Sequence, residues 1–227
     1  DVYKRQLRFR FRIYVKERGQ KMLSLQDVSV TFNEGTSLEK RALSHVSVDV
    51  NDGDFITILG SNGAGKSTFF NVIAGKLPVS DGKIILGGKD ITHEKEHVRA
   101  RNIGRLFQDP SMGTASRLSV EENLALAYSR SNRGLFSMAV NKNDRAFFAE
   151  KLKTLNMGLE DRMKTPIGLL SGGQRQAVAL MMAVLNPPEV LLLDEHTAAL
   201  DPNSAKKILE ITNELIREEH ILSLIHI

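Results

Sequence analysis

The fold is decided by the stretch "FITILGSNGAGKST" at residues 55–68. Its first five residues are apolar and rich in β-branched side chains, which is typical of a fully buried strand. The glycines that follow permit backbone angles that other residues resist, so the chain can approach an anion closely. Successive N–H groups then point at the anion, and a helix that begins near Lys66 presents its positive end to it. Buried strand, Gly-rich turn and helix together predict a phosphate-binding loop rather than a Gly-rich surface turn.

The turn "GSNGAGKST" matches the pattern G-x-x-x-x-G-K-[ST], whose residues bind the phosphates of a nucleotide. Lys66 supplies a mobile positive charge for the β- and γ-phosphates, and Ser67 offers a hydroxyl ligand for Mg²⁺. The predicted loop residues are Gly60, Ser61, Asn62, Gly63, Ala64, Gly65, Lys66, Ser67 and Thr68.

A second motif, "VLLLDE" at residues 190–195, places Asp194 and Glu195 at the end of another buried apolar strand. A carboxylate there is costly unless it is paired or bound to a cation. Asp194 is therefore a predicted partner of Mg²⁺, through water. Glu195 is a predicted general base that polarises an attacking water. The alternative is an acid pair in a turn at the start of a helix.

A third motif, "LLSGGQRQA" at residues 169–177, resembles the LSGGQ signature of ABC-type ATPases. With the other two motifs, this motif makes the chain resemble ABC-type ATPases over residues 22–221. The resemblance implies an α/β fold with a P-loop NTPase core, in which a RecA-like sheet has flanking helices. It also implies an antiparallel β subdomain and an inserted α-helical subdomain.

The resemblance assigns further residues. Gln108, in "LFQDP", matches the Q-loop glutamine that contacts Mg²⁺ and the lytic water. Asp201, in "ALD", matches the D-loop at the dimer interface. Phe32 stands where the family has an aromatic ring that stacks on adenine, with an ordinary core aromatic as the alternative. His196 departs from the family's Asp-Glu-Pro-Thr, and we expect it to pack or hydrogen-bond locally rather than replace Glu195.

The signature also implies an assembly. In the family, this loop binds the γ-phosphate of an ATP molecule that the opposite subunit holds, so two ATP molecules are sandwiched in a head-to-tail dimer. Hydrolysis then lets the halves separate, which is a ligand-driven population shift. We therefore expect ATP and Mg²⁺ as cofactors and a second ABC ATPase subunit, identical or not, as partner. The implied residues of this second contact are Ser171, Gly172, Gly173 and Gln174.

The function that the resemblance implies is the ATP-hydrolysing subunit of a bacterial ABC transporter, at the cytoplasmic face of the cell membrane. No apolar run approaches the roughly 20 residues of a membrane-spanning helix, so a separate membrane permease is expected. The stretches at 106–128 and 193–202 resemble ATPases of importers that work with lipoprotein-type binding proteins, including a group associated with aromatic amino acids. An extracytoplasmic substrate-binding lipoprotein is therefore a further expected partner.

Two other functions stay open at this point. A soluble ABC ATPase that acts on DNA or ribosomes usually carries a long coiled-coil insert or two cassettes in one chain. Here about a hundred residues separate the phosphate loop from the signature, which leaves room only for a small helical subdomain. The net charge is +4, but residues 1–21 contain eight Lys or Arg and two Asp or Glu, so the remainder is mildly acidic. We therefore expect no nucleic-acid partner. The third possibility is nucleotide binding without efficient hydrolysis.

The rest of the chain fits this architecture. The stretches "LSLQDVSVTF" and "ALSHVSVDV" alternate apolar and polar residues, as half-buried strands do. Residues 113–165 are predicted to form the helical subdomain. Within it, Ser119 is a candidate helix N-cap, and residues 143–159 form one long amphipathic pattern. Residues 202–219 predict another helix with proline in its first turn.

The two ends of the chain have a separate explanation. "DVYKRQ" and "LSLIHI" can be encoded by one short DNA element read on opposite strands, which resembles a sequencing adaptor. We therefore expect residues 1–6 and 222–227 to be adaptor-like. Residues 7–21 are interpreted as translated upstream DNA, with a strand or a basic arm as the alternatives. The ATPase domain is then residues 22–221, truncated at its C-terminus.

His226 lies where a superficial reading would place the family's last catalytic residue. In the family, a switch histidine follows the next strand and holds the γ-phosphate and the attacking water. That strand should begin near Ile221, so His226 comes too early and belongs to the adaptor-like tail. We expect the true histidine beyond the end of this chain. The chain as written should then bind Mg-ATP but hydrolyse it poorly, whereas the completed protein should be an ATPase.

Overall fold

The structure, a computed structural model, describes residues 11–14, 21–52, 54–132, 140–219 and 221–226. The chain divides into two compact units. The first comprises residues 1–103, 189–194 and 220–227, and the second comprises residues 104–188 and 195–219. The leader predicted at residues 1–21 lies outside the described residues, except for 11–14 and 21.

The strands of the described residues form two sheets. The strands are β1 (Phe11–Tyr14), β2 (Lys21–Phe32), β3 (Lys40–Asn51), β4 (Phe55–Gly60), β5 (Asp81–Leu86), β6 (Lys89–Asp90), β7 (Ile103–Leu106), β8 (Val190–Asp194) and β9 (Leu222–His226). One sheet has the order β1-β4-β9-β8-β7, and the other has the order β3-β2-β5-β6. The chain passes from the first unit to the second within β7.

The larger sheet has a parallel centre. β9 is parallel to both β4 and β8, while β1 adds to β4 in the antiparallel sense. Parallel strands are covered on both faces, so they read as continuous apolar runs, and residues 190–193 of β8 are all fully buried. β9 begins one residue after the predicted position, and its Leu222 and Leu224 are buried. The predicted α/β core is confirmed.

The smaller sheet is antiparallel, as its alternating sequence predicts. Leu25 pairs with Val48 and Val28 with Val46, and all four side chains are buried. The register between these pairs shifts at a bulge in β2. Asp27, inside this bulge, has a φ of 55°, in the left-handed region that single bulged residues use. The bulge lets both flanking apolar pairs face the core.

The helices of the first unit are α1 (Lys66–Ile73) and α2 (Glu96–Arg99). Arg99 is buried beneath the end of α1, with 4% of its surface exposed. Its guanidinium donates to the carbonyl oxygens of Val72 at 2.8 Å, Ile73 at 2.9 Å, Thr92 at 2.8 Å and Glu94 at 3.0 Å. Burial lowers the pKa of Arg99. This one side chain therefore satisfies the last carbonyl groups of α1, which a helix leaves without internal partners.

The second unit is helical. Its helices are α3 (Val120–Asn132), α4 (Lys142–Lys153), α5 (Gly172–Val184) and α6 (Pro202–Glu218), with short 3-10 helices at Pro110–Met112, Glu160–Arg162 and Ile167–Leu169. Ser119 caps α3 as predicted, because its hydroxyl accepts from the Glu122 N–H at 3.3 Å and the Glu122 carboxylate accepts from the Ser119 N–H at 2.7 Å. The helical segment predicted at 113–165 lies inside this unit, which extends beyond it on both sides.

The helix predicted over residues 143–159 is shorter in the structure. It ends at Lys153, and the chain then takes left-handed conformations at Asn156 (φ 51°) and Gly158 (φ 64°). Such residues stop a helix, although the apolar pattern continues past them. Among the described residues, no helix is both long enough and apolar enough to cross a membrane.

Candidate nucleotide-binding site

The predicted phosphate loop has backbone angles that favour glycine. Gly63 and Gly65 have φ values of 77° and 99°, and α1 begins directly after Gly65. A Cβ atom on Gly65 would lie only 2.7 Å from the main-chain oxygen of Ala42 in β3. Glycine is therefore required here both by conformation and by space. Between the two ends of the loop, Ala64 N–H donates to the Ser61 oxygen at 3.1 Å.

Lys66 folds its ammonium group back over this loop. The residue is 6% exposed, and its Nζ donates to the carbonyl oxygen of Gly60 and, at 3.4 Å, to that of Ser61. A buried ammonium group needs such acceptors, because burial of an unpaired charge is costly. An anion placed over the loop would compete for Lys66 with these two carbonyl oxygens. Ser67 and Thr68 follow in the first turn of α1, and Asn62 is exposed at the loop surface.

Asp194 lies at the same edge of the sheet as the loop. Asp194 of β8 and Ile58 of β4 both pair with His226 of β9. Because neighbouring strands are about 4.8 Å apart, the main chains of Asp194 and Ile58 are separated by about 10 Å. β4 and β8 run in the same direction, so the loop that follows Gly60 leaves the sheet beside Asp194. Crevices at the carboxyl ends of parallel strands are the usual ligand sites of such sheets.

Phe32 ends β2, and its ring is half-buried against the core of the first unit. It pairs across the sheet with Lys40, the first residue of β3. Two residues further along β3 is Ala42, whose carbonyl oxygen lies against Gly65. β3 therefore connects the surroundings of Phe32 with the phosphate loop. Partial burial is compatible with either interpretation of Phe32, a stacking ring or a core aromatic.

The predicted signature residues form the start of α5. Ser171 is the N-cap, and its Oγ accepts from the Gln174 N–H at 3.2 Å. Because that bond uses a lone pair of the hydroxyl, the hydroxyl proton stays available to an acceptor. The N–H groups of Gly172 and Gly173 are in the first turn, which carries the positive end of the helix dipole. Ser171 and the first turn of α5 are thus arranged to bind an anion.

Gln174 is fixed by more than the cap. Its Nε2 donates to the Met157 oxygen at 3.2 Å, and its Oε1 accepts from the Arg162 guanidinium at 3.0 Å. Sequence reasoning did not identify Arg162. It lies nine positions before Ser171, outside the signature motif, and only the fold places it beside Gln174.

The starts of α5 and α6 lie side by side. A Cβ on Gly173 would be 2.8 Å from the Ser204 hydroxyl, and one on Gly172 would be 3.5 Å from the Leu200 side chain. Asp201 is the N-cap of α6, and its carboxylate accepts from the Ser204 N–H at 3.0 Å. The hydrogen bonds from Ser204 lower the pKa of Asp201. The glycines of the signature therefore permit a close approach to the predicted D-loop.

Glu195 follows Asp194 in an unusual backbone conformation. Its φ is 42°, and its carbonyl oxygen accepts from the Ala198 N–H at 2.9 Å, which closes a turn. A non-glycine residue in the left-handed region costs about 1–3 kcal/mol, and such residues cluster at functional sites. This conformation sets the direction in which the chain leaves β8, and with it the position of the candidate base.

The next residue, His196, is 3% exposed. Burial lowers its pKa to about 4, so the imidazole is neutral at pH 7. Its Nε2 has no hydrogen-bond partner among the described residues. Of the two roles expected for His196, packing is the one that these contacts support.

Gln108 lies after β7, next to Phe107, and its side chain is exposed. The carbonyl oxygen of Phe107 accepts a hydrogen bond of 3.3 Å from Nε2 of Gln176 in α5. Gln176 is fully buried, and its Oε1 has no partner in the described part of the chain. An unpaired buried acceptor costs about 1–3 kcal/mol. Sequence reasoning did not single out Gln176, although it stands two residues after the signature.

His226 is the last residue of β9, and its backbone pairs with Ile58 of β4 and Asp194 of β8. The sequence placed this histidine too early to follow the strand, and the structure puts it within the strand. The switch histidine expected further along stays a prediction. Among the described residues, no group of three or more His, Asp and Glu side chains is arranged to hold a metal ion.

Known proteins have sequences similar to that of this chain. The family described as ABC transporter matches residues 43–198. The chain is 38% identical over 204 residues to the tyrosine transport ATP-binding protein of Clostridioides difficile, covering 89% of this chain and 80% of that protein. It is 35% identical over 201 residues to the methionine import ATP-binding protein MetN of Streptococcus agalactiae. That match covers 86% of this chain and 53% of MetN, so the chain spans about half of that relative.

Solved structures share the fold. The dimeric, post-hydrolysis ATP-binding cassette MJ0796 with ADP and phosphate has a TM-score of 0.76 and 28% identity, over 90% of this chain and 87% of that one. The ADP conformation of the cassette MJ1267 has a TM-score of 0.74 and 29% identity, over 91% of this chain and 81% of that one. The three sequence motifs, the glycine-dependent loop and these relatives agree. The chain belongs to the ABC transporter family and is an ATP-binding, ATP-hydrolysing cassette of that family.

Proposed function

We propose that this cassette binds Mg-ATP in its phosphate loop and, as a dimer, drives solute import through a separate membrane permease. The observation that carries the proposal is the loop itself. Gly65 brings the backbone against Ala42, and the Lys66 ammonium donates to two carbonyl oxygens of the loop. A triphosphate offers that ammonium stronger, charged acceptors, and it meets the positive end of α1 at the same point.

Mg²⁺ fits the oxygen groups near the loop. Ser67 supplies a hydroxyl at the start of α1, and Asp194 supplies a carboxylate at the end of β8. Hard oxygen ligands of this kind suit Mg²⁺, which takes one or two protein groups and completes its shell with phosphates and waters. When bound, the ion neutralises charge on the β- and γ-phosphates. We propose Gln108 as the further ligand that also orients the attacking water, and Glu195 as the base that polarises it.

The signature is proposed to act on the nucleotide of a second subunit. Ser171 has a proton to donate, and the first N–H groups of α5 are directed at the same place. An anion that bridges this helix start and a partner's phosphate loop would bind two subunits together only while the γ-phosphate is present. Asp201, at the neighbouring start of α6, is proposed to lie at the same interface.

The names of two relatives support the proposed class of solute. They are named as ATP-binding proteins for tyrosine transport and methionine import. We propose an amino acid, of the aromatic class, as the solute, with a permease as membrane partner and a lipoprotein as substrate-binding partner. The cassette would then work at the cytoplasmic face of the membrane. The second cassette subunit is proposed to be a copy of this chain or a relative of it.

A dimerisation experiment tests the proposal. Glu195→Gln removes the base but keeps the size of the side chain, so ATP stays unhydrolysed. We expect this variant with ATP and Mg²⁺ to elute as a dimer in size-exclusion chromatography with light scattering, and as a monomer with ADP. Adding Ser171→Arg should abolish the dimer without weakening ATP binding, because the arginine blocks the start of α5.

The control for this experiment is Asn213→Arg, an exposed position on α6 outside the motifs. In the Glu195→Gln background it should leave the ATP-dependent dimer intact. A variant that stays monomeric at saturating ATP would contradict the sandwich. A dimer that Ser171→Arg leaves unchanged would show that another surface holds the subunits together.

A further inference from the structure

The buried side chain of Gln176 has no role in the site described so far. It is 0% exposed, its Nε2 donates to the Phe107 oxygen at 3.3 Å, and its Oε1 has no partner among the described residues. Methionine or leucine would fill the same volume without an unpaired amide oxygen, but neither could donate to the Phe107 oxygen. The hydrogen bond to Phe107, rather than the volume of the side chain, therefore distinguishes an amide at this position.

The partner of this amide stands directly before Gln108. The Phe107 carbonyl and the Gln108 N–H belong to one planar peptide unit, so fixing the first fixes the second. One further contact restrains Phe107, because the Arg105 guanidinium lies 4.7 Å from the centre of its ring. The hydrogen bond from Gln176 thus completes a set of contacts that sets the direction in which the chain enters Gln108.

The same amide is part of the helix that carries the signature. α5 is capped by Ser171, and Gln176 lies in its second turn, about 6 Å along the axis from Gly172. A helix moves as a rigid body over such a distance, because its main-chain hydrogen bonds hold the turns together. A shift of the helix start when an anion binds is therefore carried to Gln176. All of these contacts lie within the second unit.

We propose that Gln176 is a positioning residue that connects the signature to the Q-loop glutamine. Through its hydrogen bond to Phe107, a γ-phosphate bound at Ser171 sets the position of Gln108 in the same subunit. Hydrolysis in one nucleotide site is thereby made dependent on occupancy of the other. The inference rests on the role proposed above for Gln108.

The first test is a double-mutant cycle that measures hydrolysis of bound ATP in a single turnover. Gln176→Met removes the donor and keeps the volume. We expect its ATP affinity to stay within about twofold of the parent and its hydrolysis rate to fall about 10- to 100-fold, as for a misplaced catalytic group. Gln108→Ala should slow hydrolysis at least as much, and Gln176→Met combined with Gln108→Ala should be no slower than Gln108→Ala alone.

Each outcome decides the question. Additive losses would show that Gln176 does not act through Gln108, and parental hydrolysis in Gln176→Met would remove its role altogether. In both of those cases a slow Gln108→Ala leaves the proposed function intact. Normal hydrolysis in Gln108→Ala would overturn the proposed role of Gln108 together with this inference.

A second measurement does not depend on turnover. The chain contains no cysteine, so Met112→Cys, whose side chain is 63% exposed in the parent, carries a single nitroxide label beside the Q-loop. Electron paramagnetic resonance should show a more mobile label with Gln176→Met. The matched control, Met181→Leu, changes another buried residue of α5 and should leave the spectrum unchanged. Equal spectra for Gln176→Met and the parent would overturn the inference even where hydrolysis is slow.

Discussion

At the scale of single residues, two unusual features are adjacent at the end of β8. Glu195 takes a left-handed backbone conformation, and the imidazole of His196 is buried beside it. The sequence shows the two acids and the departure from proline at position 196. It does not show that the imidazole is neutral, because that depends on how completely the fold removes it from water.

The buried imidazole makes stability depend on pH. Burial lowers the pKa of His196 from 6.5 to about 4. Between these two pH values, the folded protein therefore binds fewer protons than the unfolded chain. Its contribution is therefore complete above pH 6.5 and is lost as the pH falls towards 4. We expect about 2 kcal/mol of unfolding free energy to be lost through this group between pH 7.5 and pH 5.

His196→Gln is the comparison, since glutamine does not titrate in this range. Urea unfolding at pH 7.5 and pH 5 should show a drop that is smaller in the variant by about that 2 kcal/mol. The same drop in both proteins would mean that His196 is protonated in the folded state.

At the residue scale, a local requirement can be recognised in the sequence. The backbone at position 65 requires glycine, which the nine-residue pattern contains, whereas the role of Lys66 stays a prediction. Gln176 could not be assigned in this way, because its partner Phe107 lies 69 positions earlier in the chain. Only the packed structure brings that carbonyl oxygen to the amide.

At the scale of elements, α1 depends on a residue outside itself. Arg99 satisfies carbonyl oxygens at the end of this helix and in the turn that follows β6. Replacing Arg99 with alanine removes the donor from several buried carbonyl oxygens. We therefore expect a loss of about 2–4 kcal/mol in the free energy of unfolding. Arg99→Lys should be intermediate, because an ammonium cannot reproduce the planar fork of donors.

Urea unfolding measures this loss, and Arg101→Ala is the matched control. Arg101 is exposed two residues further on, so its replacement should change stability by less than about 0.5 kcal/mol. Equal stabilities of Arg99→Ala and Arg101→Ala would mean that water replaces the guanidinium at no cost.

The sequence predicts most elements but not all their ends or partners. Alternation identified β2 and β3, and Ser119 identified the start of α3. The end of α4 was missed because the apolar pattern runs on through Asn156 and Gly158, whose left-handed angles stop the helix. Arg99 was missed as well, since nothing local distinguishes it from an exposed arginine.

At the scale of the whole molecule, nucleotide should act as a stabiliser of the folded state. ATP at about 100 times its dissociation constant adds about 2.7 kcal/mol, which raises the Tm of a chain of this size by about 5–10 °C. Lys66→Ala removes the ammonium that the phosphates attract, so this variant should show little or no rise. Differential scanning fluorimetry with and without Mg-ATP provides the measurement.

Lys76→Ala is the control for that experiment. Lys76 is an exposed lysine shortly after α1, and its removal should leave the ATP-dependent rise in place. A full rise with Lys66→Ala would place the nucleotide somewhere other than the predicted loop.

The division of the chain is the part that sequence reasoning described least completely. A helical subdomain was predicted at 113–165, whereas the second unit also includes α5 and α6. The amphipathic pattern of α6 shows that one face is buried, but not which element covers it. In the structure α6 packs against α5, and this contact makes it part of the second unit.

The position of β9 has a consequence for the speed of folding. Ser223 of β9 pairs with Phe55 on one side and with Leu191 on the other, so the central ladder joins segments from nearly opposite parts of the chain. Bringing such distant segments together lowers the conformational entropy of the chain before any stabilising contact forms. Parallel ladders of this kind therefore form slowly. The helical unit lies in the intervening chain, and its own collapse would shorten the gap that β9 must close. Refolding of the nucleotide-binding sheet should therefore lag behind helix formation.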